Sequence, residues 1–257
     1  MNRYLVFQIY GPMAAWGDVA VGESRVSSTI PGRSALLGMI AAALGIKRTD
    51  EDRLSALSSS VRFGVLVMSS GHFLRDYHTA QVPPTSALKR RPSRTRRDEL
   101  AVPKDDLGTI LSARDYRTDA SYRVAIEQTE PDTVTLETIQ QAVRKPVFPL
   151  YLGRKACPPA LPLHPQIIEQ SDLLSAFRKA SFTGTDELLG GRTGGSWPQG
   201  LHQPPYTLCW EEGMRSGIEP LKSVTRRDHP RSRLRWQFDE RIECQAMIEN
   251  LEEAACS

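Results

Sequence analysis

The order of apolar segments along the chain restricts the fold more than any other feature. Residues 4–10 form a short run of β-branched and aromatic side chains that ends at Gly11 and Pro12, which is typical of a buried strand. After a polar loop, residues 34–45 have the small and apolar side chains of a helix that packs closely on a sheet. Gly45 stands where such a helix commonly ends. A second, shorter helix is expected over 50–57.

Two further strands enclose a long insertion. Apolar side chains alternate over 61–68 and again over 121–127, which predicts two strands. Apolar residues then recur at helical spacing over 136–144, and Pro146 follows as a stop. The order strand, helix, strand, insertion, strand, helix fits a ferredoxin-like α+β sandwich, and more strands are expected towards the C-terminus.

Net charge and cysteine content exclude several classes of protein. The 257 residues include 33 Lys and Arg against 30 Asp and Glu, so net charge alone does not indicate a nucleic-acid partner. No apolar run approaches the roughly 20 residues of a membrane span, and we expect no secretory signal and no membrane partner. The four cysteines are scattered without a CxxC pair, so we expect no metal, no cofactor, no disulfide framework and a cytoplasmic location.

The charged residues are nevertheless segregated into blocks. Within the insertion, the stretch 88–97 holds six cationic residues and no acid, namely Lys89, Arg90, Arg91, Arg94, Arg96 and Arg97. A second basic stretch covers residues 222–235, in which Asp228 is the only acidic residue. The segment 239–257 that follows is acidic. Segregation of this kind is typical of an electrostatic footprint for a charged partner.

The segment before the first predicted helix is a candidate anion site. Gly32 lets the backbone approach a ligand closely, the unpaired amides of the first helical turn point outward, and Arg33 adds a forked donor. Ser34 opens the helix beside them. A plain helix cap explains the same residues, and caps are far commoner than phosphate sites.

An aromatic residue and two cations follow the last predicted helix. Tyr151 offers a ring on which a base can stack, and Arg154 or Lys155 can meet a phosphate after the bend at Gly153. The alternative is an exposed turn whose tyrosine packs on the sheet.

An Arg-Asp-Tyr triplet occurs at both ends of the insertion. In a projecting hairpin the two triplets lie on opposing strands near its base, so that each arginine pairs with the aspartate of the other triplet. Those pairs are Arg75 with Asp115 and Arg114 with Asp76. A second interpretation, compatible with the first, is a groove beside bound RNA, lined by Arg114, Tyr116 and His78.

Catalysis has little support in the sequence. Metal-free RNA cleavage needs a base near the ribose 2′-hydroxyl and a cation for the charged intermediate, which His78 with Lys155 or Arg114 can supply. A lone histidine in such a loop is more often a hydrogen-bonding residue, and no nucleophilic triad or carboxylate cluster stands out. The residues therefore leave catalysis open but give it no support.

Several motifs follow one another in a fixed order. They are GPMAAWG at 11–17, PGRSALLG at 31–38, ALGIKR at 43–48, LRDYHT at 74–79, DASY at 119–122, KP at 145–146 and YLGRKACP at 151–158. Together they resemble the CasD family, the subunit that caps the guide-RNA 5′ end in the type I-E CRISPR complex Cascade. The resemblance thins after about His164, and 239–257 is expected to be an acidic extension.

The resemblance implies a RAMP-type fold. Its parts are a ferredoxin-like (RRM-like) palm, an inserted β-hairpin thumb and a smaller C-terminal β-rich region. The palm is expected over 1–76 and 117–160, the thumb over 77–116, the C-terminal region over 161–238 and the acidic tail over 239–257.

The resemblance also implies function, partners and site residues. Palm and thumb are expected to grip the 5′ handle of the crRNA, beside the backbone subunit CasC and the large subunit CasA, while guide base pairing reads the target DNA. The handle-binding positions carried over by motif are Arg33, Ser34, Arg114, Tyr151, Arg154 and Lys155, with Trp16, Arg25 and His78 as further candidates. Because CasE normally cuts the precursor in this family, the implied role is structural.

Two other functions stay open at this point. A sister branch of the same superfamily cleaves RNA without a metal, so a metal-independent endoribonuclease that processes CRISPR repeat RNA is the main alternative. The second alternative is a protein scaffold whose basic blocks dock on acidic partners.

Overall fold

Nine strands of the described chain join in one mostly antiparallel sheet. The computed structural model describes residues 1–18, 22–90, 93–129, 134–182 and 204–251. Numbered in chain order, the strands of the sheet are β1 (Asn2–Ala14), β3 (Ser24–Arg25), β5 (Val61–Ser69), β6 (His72–Val82), β7 (Gly108–Gln128), β8 (Gln166–Gln170), β9 (Tyr206–Glu211), β10 (Lys222–Ser232) and β11 (Gln237–Ile248). A separate pair consists of β2 (Trp16–Gly17) and β4 (Ser27–Ser28).

Short helices connect the strands. They are α1 (Arg33–Ala43), α2 (Glu51–Ser60), α3 (Thr85–Arg90), α4 (Arg96–Glu99), α5 (Leu136–Arg144) and α6 (Leu173–Lys179), with a 3₁₀ turn at Lys104–Asp106. The helices predicted over 34–45, 50–57 and 136–144 correspond to α1, α2 and α5, and those predictions are confirmed. In the part of the chain that the structure describes, no helix is long and apolar enough to cross a membrane.

The sheet has the strand order β10-β11-β9-β5-β7-β1-β8. Its half β5-β7-β1-β8 is antiparallel throughout, with α1 and α2 between β1 and β5 in the chain and α5 between β7 and β8. The strands predicted over 4–10, 61–68 and 121–127 are three neighbours in this half. Strand β8, which falls within the range 161–238 predicted for the C-terminal region, pairs with β1 and so lies beside them in the same sheet.

Strand β1 is buried on both faces. Its side chains alternate between two cores: Leu5 and Phe7 pack with apolar residues of α1, α2 and α5, whereas Tyr4 and Val6 pack with those of α6. Phe177 of α6 is fully buried in the second core. A strand covered on both sides needs an unbroken apolar run, which is why the sequence of β1 is not an alternating one.

The insertion forms a projecting hairpin. Strands β6 and β7 pair without interruption from His72 opposite Thr118 to Val82 opposite Gly108, and α3 and α4 lie at its far end. The range 77–116 that is predicted for the thumb lies within this hairpin, whose paired strands begin at His72 and end at Thr118. Arg91, one of the six cationic residues predicted there, lies outside the described residues.

Much of the acidic segment predicted as a tail over 239–257 belongs to the sheet. Residues 237–248 form β11, which lies between β9 and the basic strand β10. Arg226 pairs with Glu243 at 3.2 Å, and Arg241 pairs with Asp228 at 2.6 Å and with Glu243 at 2.9 Å. The two charged blocks therefore partly neutralise each other inside the sheet. Residues 252–257 of the predicted tail lie outside the described residues.

Arg33 lies in the core, which contradicts the prediction that its guanidinium faces a ligand. Arg33 is only 3% exposed, and its Nη1 donates to both carboxylate oxygens of Glu211 at 2.6 Å. Nη2 donates to the carbonyl of Ser58 at 2.6 Å, and the Phe63 ring lies 5.6 Å away. A guanidinium is stable in a core only when it is paired in this way. The pair therefore joins α1 to the end of α2 and to β9.

The first turn of α1 already binds a carboxylate of the chain itself. The amide of Arg33 donates to Asp228 Oδ2 at 2.7 Å, and Arg241 holds Asp228 from the other side. A β-carbon on Gly32 would lie 2.8 Å from Asp228 Oδ2, so the glycine permits this approach. Helix N-termini favour anions because their free amides and dipole are positive. The predicted anion-binding site at the first turn of α1 exists, but Asp228 occupies it and thereby links α1 to β10.

We expect Arg33→Ala to destabilise the fold by about 3–5 kcal/mol, because it leaves the Glu211 carboxylate buried without its partner. Urea unfolding of the purified chain, followed by tryptophan fluorescence, measures the loss. Arg62→Ala is the matched control: Arg62 is half exposed and lies 4.0 Å from Glu127, so a loss of about 1 kcal/mol or less is expected. Unfolding of Arg33→Ala at the wild-type urea concentration would show that the pair is not structural.

Candidate nucleic-acid interface

Three arginines meet at the base of the β6–β7 hairpin. Strand β3 runs parallel to β7 and places Arg25 opposite Arg114. Arg154, from the turn formed by 151–157, donates to the carbonyl of Arg25 at 3.0 Å and to that of Asp115 at 3.3 Å. The structure thus brings together three of the residues that the sequence predicted as RNA contacts.

The hydrogen bonds of two of these arginines orient them without cancelling their charge. Arg25 donates to the carbonyls of Gly22 at 2.7 Å and Ser24 at 3.1 Å, and Arg154 donates to carbonyls as well. The Arg154 guanidinium also lies 4.6 Å above the centre of the Tyr116 ring. A carbonyl dipole or an aromatic ring holds a guanidinium in place while its full positive charge remains. These groups are therefore fixed and still cationic.

Two carboxylates lie near this cluster, Asp115 on the other face of the hairpin and Asp76 on the face of Arg114. Asp115 accepts from Arg75 Nε at 2.7 Å and Nη2 at 3.0 Å, which confirms this predicted pair. The hydrogen bond from Arg75 lowers the pKa of Asp115 against the opposing effect of burial. In the same register Asp76 stands opposite Arg114, as predicted from the two triplets.

His78 and Arg114 share one face of the hairpin. Residues directly opposite in an antiparallel pair point to the same side, and Asp76 opposite Arg114 is followed two residues on by His78 opposite Ser112. His78 is exposed, so it borders the surface that Arg114 lines. Tyr116 lies on that face too but is only 9% exposed, because Arg154 covers its ring.

The turn over 151–157 is held rigidly against the sheet. The Leu152 amide donates to the Cys157 carbonyl at 2.7 Å, and the Ala15 amide donates to the Leu152 carbonyl at 2.9 Å. Gly153 has φ +86°, and a β-carbon there would lie 1.8 Å from the Ala15 carbonyl oxygen. Only glycine fits that position. The turn presents Lys155, which is exposed, next to Arg154.

Tyr151 and Ser34 lie next to the arginine cluster and are not part of it. Arg233 donates to the Ser34 carbonyl, and the Arg48 Nε donates to the Arg233 carbonyl at 2.9 Å. Burial and the positive charge of Arg48 lower the pKa of Arg233. The chain just before Tyr151 is bonded to the last turn of α1 through the amides of Val147 and Phe148. Tyr151 is 39% exposed, which leaves part of its ring open to a ligand.

Trp16 is a core residue, contrary to its prediction as a candidate RNA contact. It is 2% exposed, and its Nε1 donates to the Tyr122 hydroxyl at 3.0 Å. The two rings pack edge to face with centres 5.7 Å apart. Like Arg33, it stabilises the fold and reaches no surface.

Sequence reasoning missed Arg48 and Trp236. Arg48 closes the third motif of the resemblance, and Trp236 sits between the basic and acidic blocks, so neither stood out by charge. The fold brings these two residues into contact, with the Arg48 guanidinium 4.2 Å from the centre of the Trp236 indole ring. That contact is the only feature that marks them as candidates. Among the residues that the structure describes, no group of three His, Cys, Asp or Glu side chains could hold a metal ion.

Comparison with known proteins places the chain among CRISPR-associated proteins. The family model described as CRISPR-associated protein (Cas_Cas5) matches residues 4–242. The chain is 34% identical over 194 residues to the CRISPR system Cascade subunit CasD of Escherichia coli (strain K12), which covers 72% of this chain and 80% of that protein. The family match runs well past residue 164, so the similarity extends further than the motifs indicated.

Two solved structures share the fold. A chain of a "CRISPR RNA-guided surveillance complex" superposes with a TM-score of 0.62 at 24% identity, over 95% of this chain and 90% of that one. A chain described as "Crystal structure of Cas protein" gives 0.58 at 21% identity, over 95% and 94%.

We expect Gly153→Ala to destabilise the protein by more than about 1 kcal/mol and to loosen the turn that carries Arg154, because the added β-carbon overlaps the Ala15 carbonyl. Hydrogen exchange measures the effect: the amides of Ala15 and Leu152 lose protection. Gly17→Ala is the control, since a β-carbon there meets nothing within 4 Å. Equal protection in Gly153→Ala and the wild type would contradict the tight approach.

Proposed function

We propose that this chain, which belongs to the family of CRISPR-associated Cas5 proteins, is the subunit of a Cascade-type surveillance complex that binds the 5′ handle of the crRNA. The observation that carries the proposal is the meeting of Arg25, Arg114 and Arg154 at the hairpin base. The similarity to a Cascade subunit over 80% of that subunit's length supports the place in such a complex.

The chemistry of the arginine cluster suits a bent single strand of RNA. Guanidinium groups bind phosphate oxygens with paired donors, and such contacts supply most of the affinity and position the strand. Arg25 and Arg154 are fixed by carbonyl oxygens rather than by carboxylates, so a phosphate does not have to displace an internal anion. Lys155 extends the charge beyond the turn, and His78 extends the surface along the hairpin.

We read the sheet and hairpin as palm and thumb. The order β5-β7-β1-β8 with its connecting helices is that of a ferredoxin-like unit, which supports a RAMP-type palm. The β6–β7 hairpin is the thumb. Lys89, Arg94 and Arg97 at its far end are exposed, whereas Arg96 pairs with Glu99 at 2.5 Å and offers less charge to RNA.

The partners follow from the two faces of the thumb. The face with Arg114 and His78 meets the RNA, and the opposite face carries the exposed apolar side chains Phe73 and Tyr77, at 54% and 78% exposure. Exposed apolar side chains suit a protein neighbour. We assign that face to the adjoining backbone subunit CasC, with the large subunit CasA nearby, and we expect assembly in the cytoplasm.

The proposed role is binding without cleavage. A metal-independent nuclease needs a general base and a cation converging on one ribose. His78 lies on an exposed strand of the thumb, while Arg154 is engaged with the carbonyls of Arg25 and Asp115. That arrangement favours binding of the RNA strand over its cleavage.

We expect the purified chain to leave CRISPR repeat RNA intact in the presence of EDTA over hours. Denaturing gel electrophoresis of end-labelled RNA detects any cut. The His78→Ala variant is run in parallel. Site-specific cleavage that disappears in His78→Ala would establish the endoribonuclease alternative and overturn the non-catalytic role.

We expect handle RNA to bind with an affinity that falls steeply with salt. Arg114→Ala and Lys155→Ala each lower the slope of log affinity against log salt by about 0.7, the contribution of one single-stranded phosphate contact. Filter binding at four salt concentrations measures the slopes, and Arg62→Ala, half exposed beside Glu127, is the control that leaves the slope unchanged. Equal affinity for handle and unrelated RNA, or unchanged slopes, would contradict the proposal.

A further inference from the structure

The tip of the β10–β11 hairpin presents an aromatic ring to solvent. The turn over 233–236 carries Trp236, which is 61% exposed, and Leu234, which is 57% exposed. Tryptophan is seldom this exposed unless its ring has a partner to meet. Arg233 of this turn contacts α1, where its guanidinium donates to the Ser34 carbonyl.

This turn is firmly held in place. The Glu51 carboxylate accepts from the Ser232 hydroxyl at 2.5 Å and from the Leu234 amide at 3.2 Å. Arg48 donates to the Arg233 carbonyl at 2.9 Å, and Arg233 in turn donates to the first turn of α1. The residues before Trp236 are thereby anchored to both α1 and α2.

The ring itself is oriented from one side. The Arg48 guanidinium lies 4.2 Å from the centre of the Trp236 ring, and Phe238 lies 6.3 Å away at a tilt of 40°. Trp236 adopts φ +53°, a left-handed conformation that a tryptophan rarely takes. The backbone and Arg48 thus hold the ring in one pose, with a large part of its surface open.

We propose that Trp236 is a stacking platform for an unpaired base of the bound guide RNA. The proposal rests on the RNA-binding function proposed above and adds a contact remote from the arginine cluster. An open aromatic face beside cations is the combination that single-stranded nucleic acids use: bases stack on the ring, and phosphates meet the charge. Arg48 supplies the cation next to this ring.

Helix α1 joins the platform to the turn that carries Arg154. Arg233 is bonded to the first turn of α1 and to Arg48, which covers Trp236. The amides of Val147 and Phe148, which precede the turn over 151–157, donate to the last turn of α1. The platform and that turn each present an exposed ring, Trp236 at 61% and Tyr151 at 39%. The exposed Leu234 at the tip would also suit a protein partner, but the cations next to the ring, Arg48 and Arg235, favour RNA.

The test compares full-length chains that differ at the tip. Handle RNA binds Trp236→Ala about 5- to 100-fold more weakly than the wild type, with the same salt slope, because a stacked base is lost and no phosphate contact is. Trp236→Phe recovers most of the affinity. Leu234→Ala, which removes an equally exposed apolar side chain from the same turn, is the matched control and binds like the wild type.

Abasic substitution identifies the stacked base. Handle RNAs with one base removed at each position in turn are titrated against both chains. At the stacked position the missing base weakens binding to the wild type but not to Trp236→Ala, which signals coupling between that base and the ring. A similar loss in both chains at every position would overturn the proposal.

The outcomes separate this inference from the proposed function. Specific, salt-dependent binding by the wild type together with unchanged affinity in Trp236→Ala overturns the platform alone. Loss of subunit assembly in Trp236→Ala with unchanged RNA affinity also overturns it and assigns the tip to a protein. Absence of any preference for handle RNA in the wild type overturns both.

Discussion

A buried ion pair between Arg33 and Glu211 holds the first helix against the C-terminal strands. A guanidinium in a core requires a partner, and here the partner comes from β9, 178 residues further along the chain. Asp228 repeats the connection at the first turn of α1 and is itself held by Arg241. The N-terminal and C-terminal parts are therefore one structural unit, because neither side of these pairs is stable without the other.

The same requirement separates the arginines by role. Arg33, Arg75 and Arg241 bond to carboxylates, so their charge is used inside the protein. Arg25 and Arg154 bond to carbonyl oxygens, so their charge remains at the surface. A count of cationic residues cannot make this distinction, whereas the chemical nature of each partner does. Because of this difference between the partners, the candidate RNA site is the base of the β6–β7 hairpin and not the first turn of α1.

The turn over 151–157 connects the two surfaces that the proposals use. Arg154 joins the arginine cluster. The residues just before Tyr151 are bonded to the last turn of α1, and the first turn of the same helix accepts from Arg233 of the β10–β11 hairpin. Gly153 makes this possible, since its positive φ and missing side chain let the turn lie directly on the Ala15 carbonyl. A rigid turn of this kind suits the proposed binding of RNA in one conformation, because the protein loses less conformational entropy on binding.

The sequence by itself determined the local elements and the family. The strands and helices over 4–10, 34–45, 61–68, 121–127 and 136–144 follow from periodicity and from glycine and proline positions. The ordered motifs indicated the family that the comparisons support, and the hairpin was expected from that resemblance. Only the tertiary structure decided which charged and aromatic side chains are free to act. Arg33 and Trp16 looked available and are buried, and the acidic segment looked like a tail and is β11. The physical reason is that these side chains find their partners through sheet pairing across long separations, such as the 195 residues between Arg33 and Asp228, and local patterns carry no record of such contacts.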